Sequence, residues 1–379
     1  MKKDKINLAL LWLRYDGGVT SVGDLVLRLD KEHFNVIFIY LTRYGVETNI
    51  IGEAGYDVVY LSEIERIKIF RFSILCRLVR ILKEHNVDIL HCHGHKPALY
   101  GALAARFAKT PVILSHVHGL GRSKNLKRKL AYFLLFGSIV RFIAVANSVK
   151  EDILRSNWLL SSEKLTVLEN SVDYERFAKV SISKEDAKRK LGLPSDAFVF
   201  GTIARFGPYK GHKFLISGLE KVQNEVPSAH LLLIGEGPLK EDVQKQVTTA
   251  GIDQSVHFLG QRNDIPELLR AMDAFVLPSV GSEGMPRVLL EAMAADVPCI
   301  ATNVGGIAEI ISSNDVGVLI PPEDSEALAD EMIKLTKMTP KKRQKLIDNA
   351  RQRIYSHYSH DVVMRKLEKI YEAEIAHYL

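Results

Sequence analysis

The apolar residues of this chain fall in short strand-length runs separated by helix-length segments, and the whole series occurs twice. The first series occupies residues 6–13, 36–41, 58–61, 89–93, 112–116 and 142–146, with helical spacing over about 21–29, 71–84 and 97–108. After Leu193-Pro194 it restarts at 198–203, 230–234, 256–259, 274–277, 299–301 and 317–320, with helices over about 211–224 and 239–250. Strands alternating with helices imply βαβ units and a parallel sheet covered on both faces. A chain of 379 residues also exceeds what one core serves well. The expected architecture is therefore α/β, with two facing Rossmann-like domains over 1–180 and 181–355 and an interdomain cleft. A last helix within 356–379 is expected to pack back on the first domain. In open sheets of this kind ligands bind beyond the carboxyl ends of the strands, so chemistry is sought there.

Composition fits such a chain: 47% hydrophobic and 25% charged leaves enough apolar surface for two cores. The start, Met1-Lys2-Lys3-Asp4-Lys5, is basic, but Arg14 and Asp16 break the apolar run that follows. That run is too short for a signal peptide or a spanning helix, and a cytoplasmic protein is expected. Cys76, Cys92 and Cys299 are odd in number and far apart, which argues against a disulfide framework. The net charge of +6 is concentrated in the first half, chiefly in segments 66–83 and 122–141, which also carry long apolar side chains. Such segments read either as surfaces for anionic lipid headgroups or as helices with a core face and a solvated basic face. Nucleic acid is not an expected partner.

Two segments carry the chemistry. In the first, Ser282-Glu283-Gly284-Met285-Pro286-Arg287 leads into a helix that contains Glu291. Pro286 suits the first helical turn, Gly284 permits close backbone approach, and the free N–H groups of a helix start favour an anion. Glu283 and Glu291 would stand roughly 10 Å apart at about 1.5 Å rise per residue, a span that suits the two sugars of a nucleotide sugar. The second segment, Gly201-Thr202-Ile203-Ala204-Arg205-Phe206-Gly207-Pro208-Tyr209-Lys210-Gly211, places two cations in a strand-to-helix turn. Arg205 and Lys210 could stabilise the charge of a diphosphate leaving group. Taken alone, each segment also reads as an ordinary solvated turn or helix surface.

Together, the two segments resemble retaining glycosyltransferases of family 4, which have the GT-B fold, a G-R-F-x-x-x-K-G-like turn and an E-x7-E motif. Leu233-Ile234-Gly235-Glu236-Gly237-Pro238 looks like the family's glycine turn, and Asn303-Val304-Gly305-Gly306 like its next loop. The resemblance implies that Arg205 and Lys210 hold the donor diphosphate beside Gly235 and Gly237. It assigns the transferred sugar to Glu283 and the nearby backbone from Gly284 through Met285 and Pro286 to Arg287, and the ribose to Glu291. It further implies a phosphate-approaching loop at Gly17-Gly18 and a sugar-reaching His118. Asn170-Ser171-Val172-Asp173 resembles the family's N-G-V-D segment. Ala204 and Ser171 replace family glycines, Asp296 stands where a glycine is usual, and Met285-Pro286 replaces Phe-Gly. Asp tolerates a left-handed backbone better than most residues, so the Asp296 change need not distort the site.

His91, Cys92, His93, His95, His116 and His118 invite a metal reading, yet Gly94 signals the end of the strand and no Cys pair completes a structural site. No Asp-x-Asp motif occurs to hold a donor-bound ion. The expectation is no metal and no cofactor. A Gly-x-Gly-x-x-Gly fingerprint fails after the first strand and again at Gly235-Glu236-Gly237, against a dehydrogenase. The function expected is metal-independent transfer of a hexose or N-acetylhexosamine from a nucleotide sugar, with UDP the expected base. The acceptor expected is a glycan or lipid-linked molecule of bacterial surface polysaccharide or glycolipid synthesis, met at the inner face of the cytoplasmic membrane. The alternatives are an epimerase or hydrolase acting on a nucleotide sugar, or a non-catalytic binding subunit of the same fold.

Overall fold

The computed structural model describes residues 5–15, 21–43, 49–121, 137, 139–157, 160–281, 283–376 and 378. The chain divides into two compact units, Met1–Asn170 with Asp361–Leu379, and Ser171–His360. The sequence pattern places the first boundary near 180 and the return near 356. The shift has a local cause. Val172 N–H donates to the Tyr358 carbonyl at 2.9 Å and His360 N–H to the Val172 carbonyl at 3.2 Å, so both stretches join the second unit.

The first unit holds β1 (Ile6–Arg14), β2 (Phe34–Thr42), β3 (Asp57–Tyr60), β4 (Ile89–His93), β5 (Val112–Val117), β6 (Arg141–Ala144) and β7 (Leu165–Val167). All pair in parallel, in the order β3-β2-β1-β4-β5-β6-β7. Leu8 to Leu11 are fully buried in succession, as a strand covered on both faces requires. The helix His360–Ile375 places Val363, Leu367, Tyr371 and Ile375 against Leu8, Leu10 and Leu114, so the final segment completes this core.

The second unit repeats the plan with β8 (Phe198–Ile203), β9 (Ala229–Ile234), β10 (Val256–Gly260), β11 (Ala274–Leu277), β12 (Cys299–Thr302) and β13 (Val318–Ile320). These too are parallel, in the order β10-β9-β8-β11-β12-β13. Leu215 and Leu219 of one helix and Leu328 and Met332 of another pack on Phe200, Leu231 and Val276. In both sheets the chain moves outward from the first strand and then returns to its other side. The switch points lie between β1 and β4 and between β8 and β11, where open sheets place their ligands. The three cysteines are unpaired, and among the described residues no helix is long and apolar enough to cross a membrane.

Candidate active site

At the second switch point, two loops are locked together by backbone alone. Gly211 takes a left-handed φ of +68°, and a Cβ there would fall 1.8 Å from the Pro278 carbonyl oxygen. Only glycine fits. Alongside it, Val280 N–H donates to the Tyr209 carbonyl at 2.9 Å. The loop after β9 is held as closely, since a Cβ on Gly237 would meet the Phe206 carbonyl at 2.4 Å. Gly235 N–H donates to the Gly260 carbonyl at 2.8 Å.

This locking brings the two chemical segments into contact. Lys210 Nζ lies 2.5 Å from Glu283 Oε1, and the Ser279 hydroxyl donates to the same oxygen at 2.6 Å. Ser279 is held in turn by the Thr302 hydroxyl, which donates to its carbonyl. The Glu283 side chain is only 10% exposed, so its charge depends on these two donors. His212, next to Gly211, is kept neutral: burial, with some help from the Lys210 charge, pushes it down to about 4. Neither Ser279 nor Thr302 stands out in the sequence, because a serine at a strand end carries no charge pattern to mark it.

The flanking residues take different stations. Arg205 is exposed on the loop that carries Lys210. Pro286 sits just before the helix as its cap residue, one position earlier than the first-turn expectation, with an extended ψ of 116°. Gly284 and Met285 are buried before it. Within the helix Arg287–Ala294, the Arg287 Nε lies 3.9 Å from Glu291 Oε1, one turn on. Asp296 does take the left-handed backbone, with φ +63°, and binds Arg351 through both carboxylate oxygens at 2.8 and 2.5 Å. Asp173 caps the helix Tyr174–Ala178.

In the first unit, Gly17, Gly18 and most of segment 122–141 lie outside the described residues. The histidines cluster on one face of the sheet, though not as three from one strand. β4 ends at His93, Gly94 turns the chain at φ +86°, and His95 opens a helix. His116 takes the third place because the β4–β5 register sets it opposite His93. The Tyr371 hydroxyl lies 2.8 Å from His91 Nδ1, and His91 Nε2 lies 3.2 Å from His116 Nδ1. His93 stacks flat on Trp12 with ring centroids 3.6 Å apart, and its Nδ1 lies 3.1 Å from His118 Nε2. Burial pushes His91 down to about 3, with the neighbouring His118 adding to it. Burial first, then the adjacent rings, hold His93 and His116 well below the ordinary imidazole range. Among the described residues, His91, His93 and His116 are the group that could hold a metal ion, with one nitrogen from each lying within 4.8 Å of the others. Half-buried His118 follows directly after β5.

Comparison with known proteins agrees with this architecture. Residues 15–176 match the family model described as Glycosyltransferase Family 4, and residues 183–353 match Glycosyl transferases group 1. The chain is 32% identical over 272 residues to UDP-Gal:alpha-D-GlcNAc-diphosphoundecaprenol alpha-1,3-galactosyltransferase of Escherichia coli, covering 69% of this chain and 70% of that one. It is 28% identical over 370 residues to N,N'-diacetylbacillosaminyl-diphospho-undecaprenol alpha-1,3-N-acetylgalactosaminyltransferase of Campylobacter jejuni, covering 92% and 94%. The structure of Anabaena HepE in complex with UDP and glucose superimposes with a TM-score of 0.83 at 19% identity, over 97% of this chain and 100% of that one. The protein belongs to the family 4 glycosyltransferases and is a glycosyltransferase of the GT-B fold.

Proposed function

We propose that the protein moves a hexose or N-acetylhexosamine from a UDP-sugar to a lipid-linked or glycan acceptor, with retention at the anomeric carbon and without a metal ion. The observation that supports this reading is the contact of Lys210 with Glu283 at the β8/β11 switch point. A cation beside a buried carboxylate suits a ligand that is an anion at one end and a polyol at the other. Lys210 and Arg205 hold the diphosphate, and Glu283 accepts hydrogen bonds from the transferred sugar beside the backbone of Gly284 and Met285. Arg287 lies at the start of the adjoining helix, and Glu291 within it accepts from the ribose. By the family resemblance, His118 contacts the sugar. The bond from the anomeric carbon to the phosphate oxygen breaks as the acceptor oxygen attacks from the same face. The departing phosphate takes the acceptor's proton, and the two cations stabilise its charge in place of a metal. The Escherichia coli and Campylobacter jejuni relatives carry diphosphoundecaprenol in their names, and the first also names UDP-Gal. A lipid diphosphate acceptor in bacterial surface glycan synthesis is the reading they support.

A thermal-shift panel tests the donor. UDP or the matching UDP-sugar at about 100 times its Kd should stabilise the protein by about 2.7 kcal/mol, a midpoint rise of several degrees. No shift with any nucleotide or nucleotide sugar would sink the proposal.

Membrane docking belongs to the same reading. The helix Phe72–Glu84 buries Ile74, Leu75, Leu78 and Leu82, so its apolar face is core, while Arg71, Arg77, Arg80 and Lys83 are exposed. The stretch that leads into it is different. Ile69 is 72% and Phe72 70% exposed, beside exposed Arg66 and Lys68. Apolar tips ringed by cations suit an anionic lipid surface. The full chain should co-sediment with phosphatidylglycerol vesicles and not with phosphatidylcholine ones, and Ile69→Ser with Phe72→Ser should weaken that binding about tenfold. Equal binding by the double variant would assign the contact elsewhere.

A further inference from the structure

We propose that Ser279 is a positioning residue for donor recognition: its hydroxyl tethers Glu283 through Oε1, so that the second oxygen, Oε2, is the one presented to the transferred sugar. The inference deepens the reading of Glu283 as the sugar-binding carboxylate and rests on it.

A free carboxylate side chain rotates, and either of its oxygens can accept a hydrogen bond. In Glu283 the two oxygens are treated differently. The Ser279 hydroxyl donates to Oε1 at 2.6 Å, and Lys210 Nζ reaches the same oxygen at 2.5 Å. Both contacts fall on Oε1, so neither occupies Oε2. The Glu283 side chain keeps 10% of its surface open. An ionised carboxylate oxygen can only accept, so Oε2 suits a ligand that brings a proton, as a sugar hydroxyl does.

The two donors are not equivalent. Lys210 has the diphosphate to serve as well, so its charge is divided between two anions once a nucleotide sugar is bound. A serine hydroxyl has one proton to donate, and Ser279 gives it to Glu283. Hydrogen bonds to an ionised acceptor are the strong ones. Ser279 is fully buried, with no solvent at hand to take its place.

The fold aims this hydroxyl. Ser279 lies two residues beyond the end of β11, and its neighbours on both sides are fixed to the neighbours of Lys210. The Pro278 carbonyl packs on Gly211, and Val280 N–H donates to the Tyr209 carbonyl at 2.9 Å. From the end of β12, the Thr302 hydroxyl donates to the Ser279 carbonyl and lies 3.4 Å from the Leu277 carbonyl. Ser279 and Lys210 therefore converge on Glu283 from two loops that cannot slide past each other.

The test measures Kd for UDP and for a UDP-sugar by titration calorimetry on the full-length protein. The sugar is whichever of UDP-glucose, UDP-galactose, UDP-N-acetylglucosamine and UDP-N-acetylgalactosamine the unsubstituted protein binds most tightly. In Ser279→Ala the ratio of the UDP-sugar Kd to the UDP Kd should rise about tenfold, with the UDP Kd within about twofold, because only the sugar end loses its contact. Glu283→Ala should raise the same ratio. Adding Ser279→Ala to that variant should change the ratio less than about twofold, since a residue that acts through Glu283 then has nothing to act on. Ser279→Cys, which nearly keeps the volume but donates weakly, should fall between, and it serves if the alanine variant does not fold. An unchanged ratio in Ser279→Ala or Ser279→Cys would overturn the proposal. So would a parallel weakening of both Kd values, or a Ser279→Ala effect undiminished without Glu283. The underlying reading fails separately. If Glu283→Ala leaves the ratio unchanged, the sugar lies elsewhere and the proposal falls with that reading, whereas a ratio raised by Glu283→Ala and not by Ser279→Ala sinks the proposal alone.

Discussion

Lys210→Ala is expected to lower turnover by roughly 100-fold or more, a loss of about 2.7 kcal/mol of transition-state stabilisation. The residue has two duties, and the experiment must part them. Lys210 neutralises Glu283, whose side chain is only 10% exposed, so its removal strands a carboxylate on the Ser279 hydroxyl and costs stability as well. The double variant Lys210→Ala, Glu283→Gln removes the stranded charge and should regain most of the thermal midpoint. It should not regain rate. Lys210→Arg keeps a cation and should fall between. A turnover in Lys210→Ala close to that of the unsubstituted protein, measured well below its melting temperature, would refute the assignment of the leaving-group charge to this side chain.

The second large effect is on stability in acid. His91, His93 and His116 are neutral in the folded protein, and His91 gains a proton only near pH 3. In the unfolded chain each titrates near the ordinary value of about 6.5. Unfolding below that pH therefore takes up protons. The stability these rings allow is fully present above about pH 6.5 and declines as pH falls through that value toward the depressed folded values. Each ring can contribute up to about 1.4 kcal/mol per pH unit, so three set a ceiling of about 4 kcal/mol per unit. The second unit has His212, pushed down to about 4, to add to this. A steep drop in thermal midpoint is expected from pH 7 to pH 5, shallower in His116→Gln. A midpoint that stays level over that range would mean that the rings accept protons where they sit.

Much of the fold was legible because parallel strands buried on both faces are written as apolar runs. β8 and β11 match the expected stretches residue for residue, and β4 as well. What escaped lacks such a run. β7 is three residues long, with only Leu165 fully buried. The helices Lys184–Lys190, Ile265–Ala271, Ser325–Thr336 and Pro340–Arg353 fill intervals that the strand pattern leaves open. Lys210 and Glu283 were each marked as site residues, but their contact depends on the adjacency of β8 and β11, which no local pattern encodes. The histidine cluster shows the same limit. The sequence marks His91, His93, His95 and His116 alike by residue type, whereas the grouping of His116 with His91 and His93 comes through the register between strands. Tyr371 arrives from the far end of the chain. Trp12 carried no signal of its kind, since an aromatic in a strand is more often core than support for a histidine ring.

The placement of Tyr371 has a bearing on how the protein is made. The strands of the first sheet are translated before the second unit, but Val363, Leu367, Tyr371 and Ile375, which seal one side of that sheet, are translated after it. The first unit cannot complete its core until the whole of Ser171–His360 has been made, whereas the second unit is continuous in the chain. Loss of residues 361–379 would thus injure the first unit, uncovering its histidines to water, and spare the second.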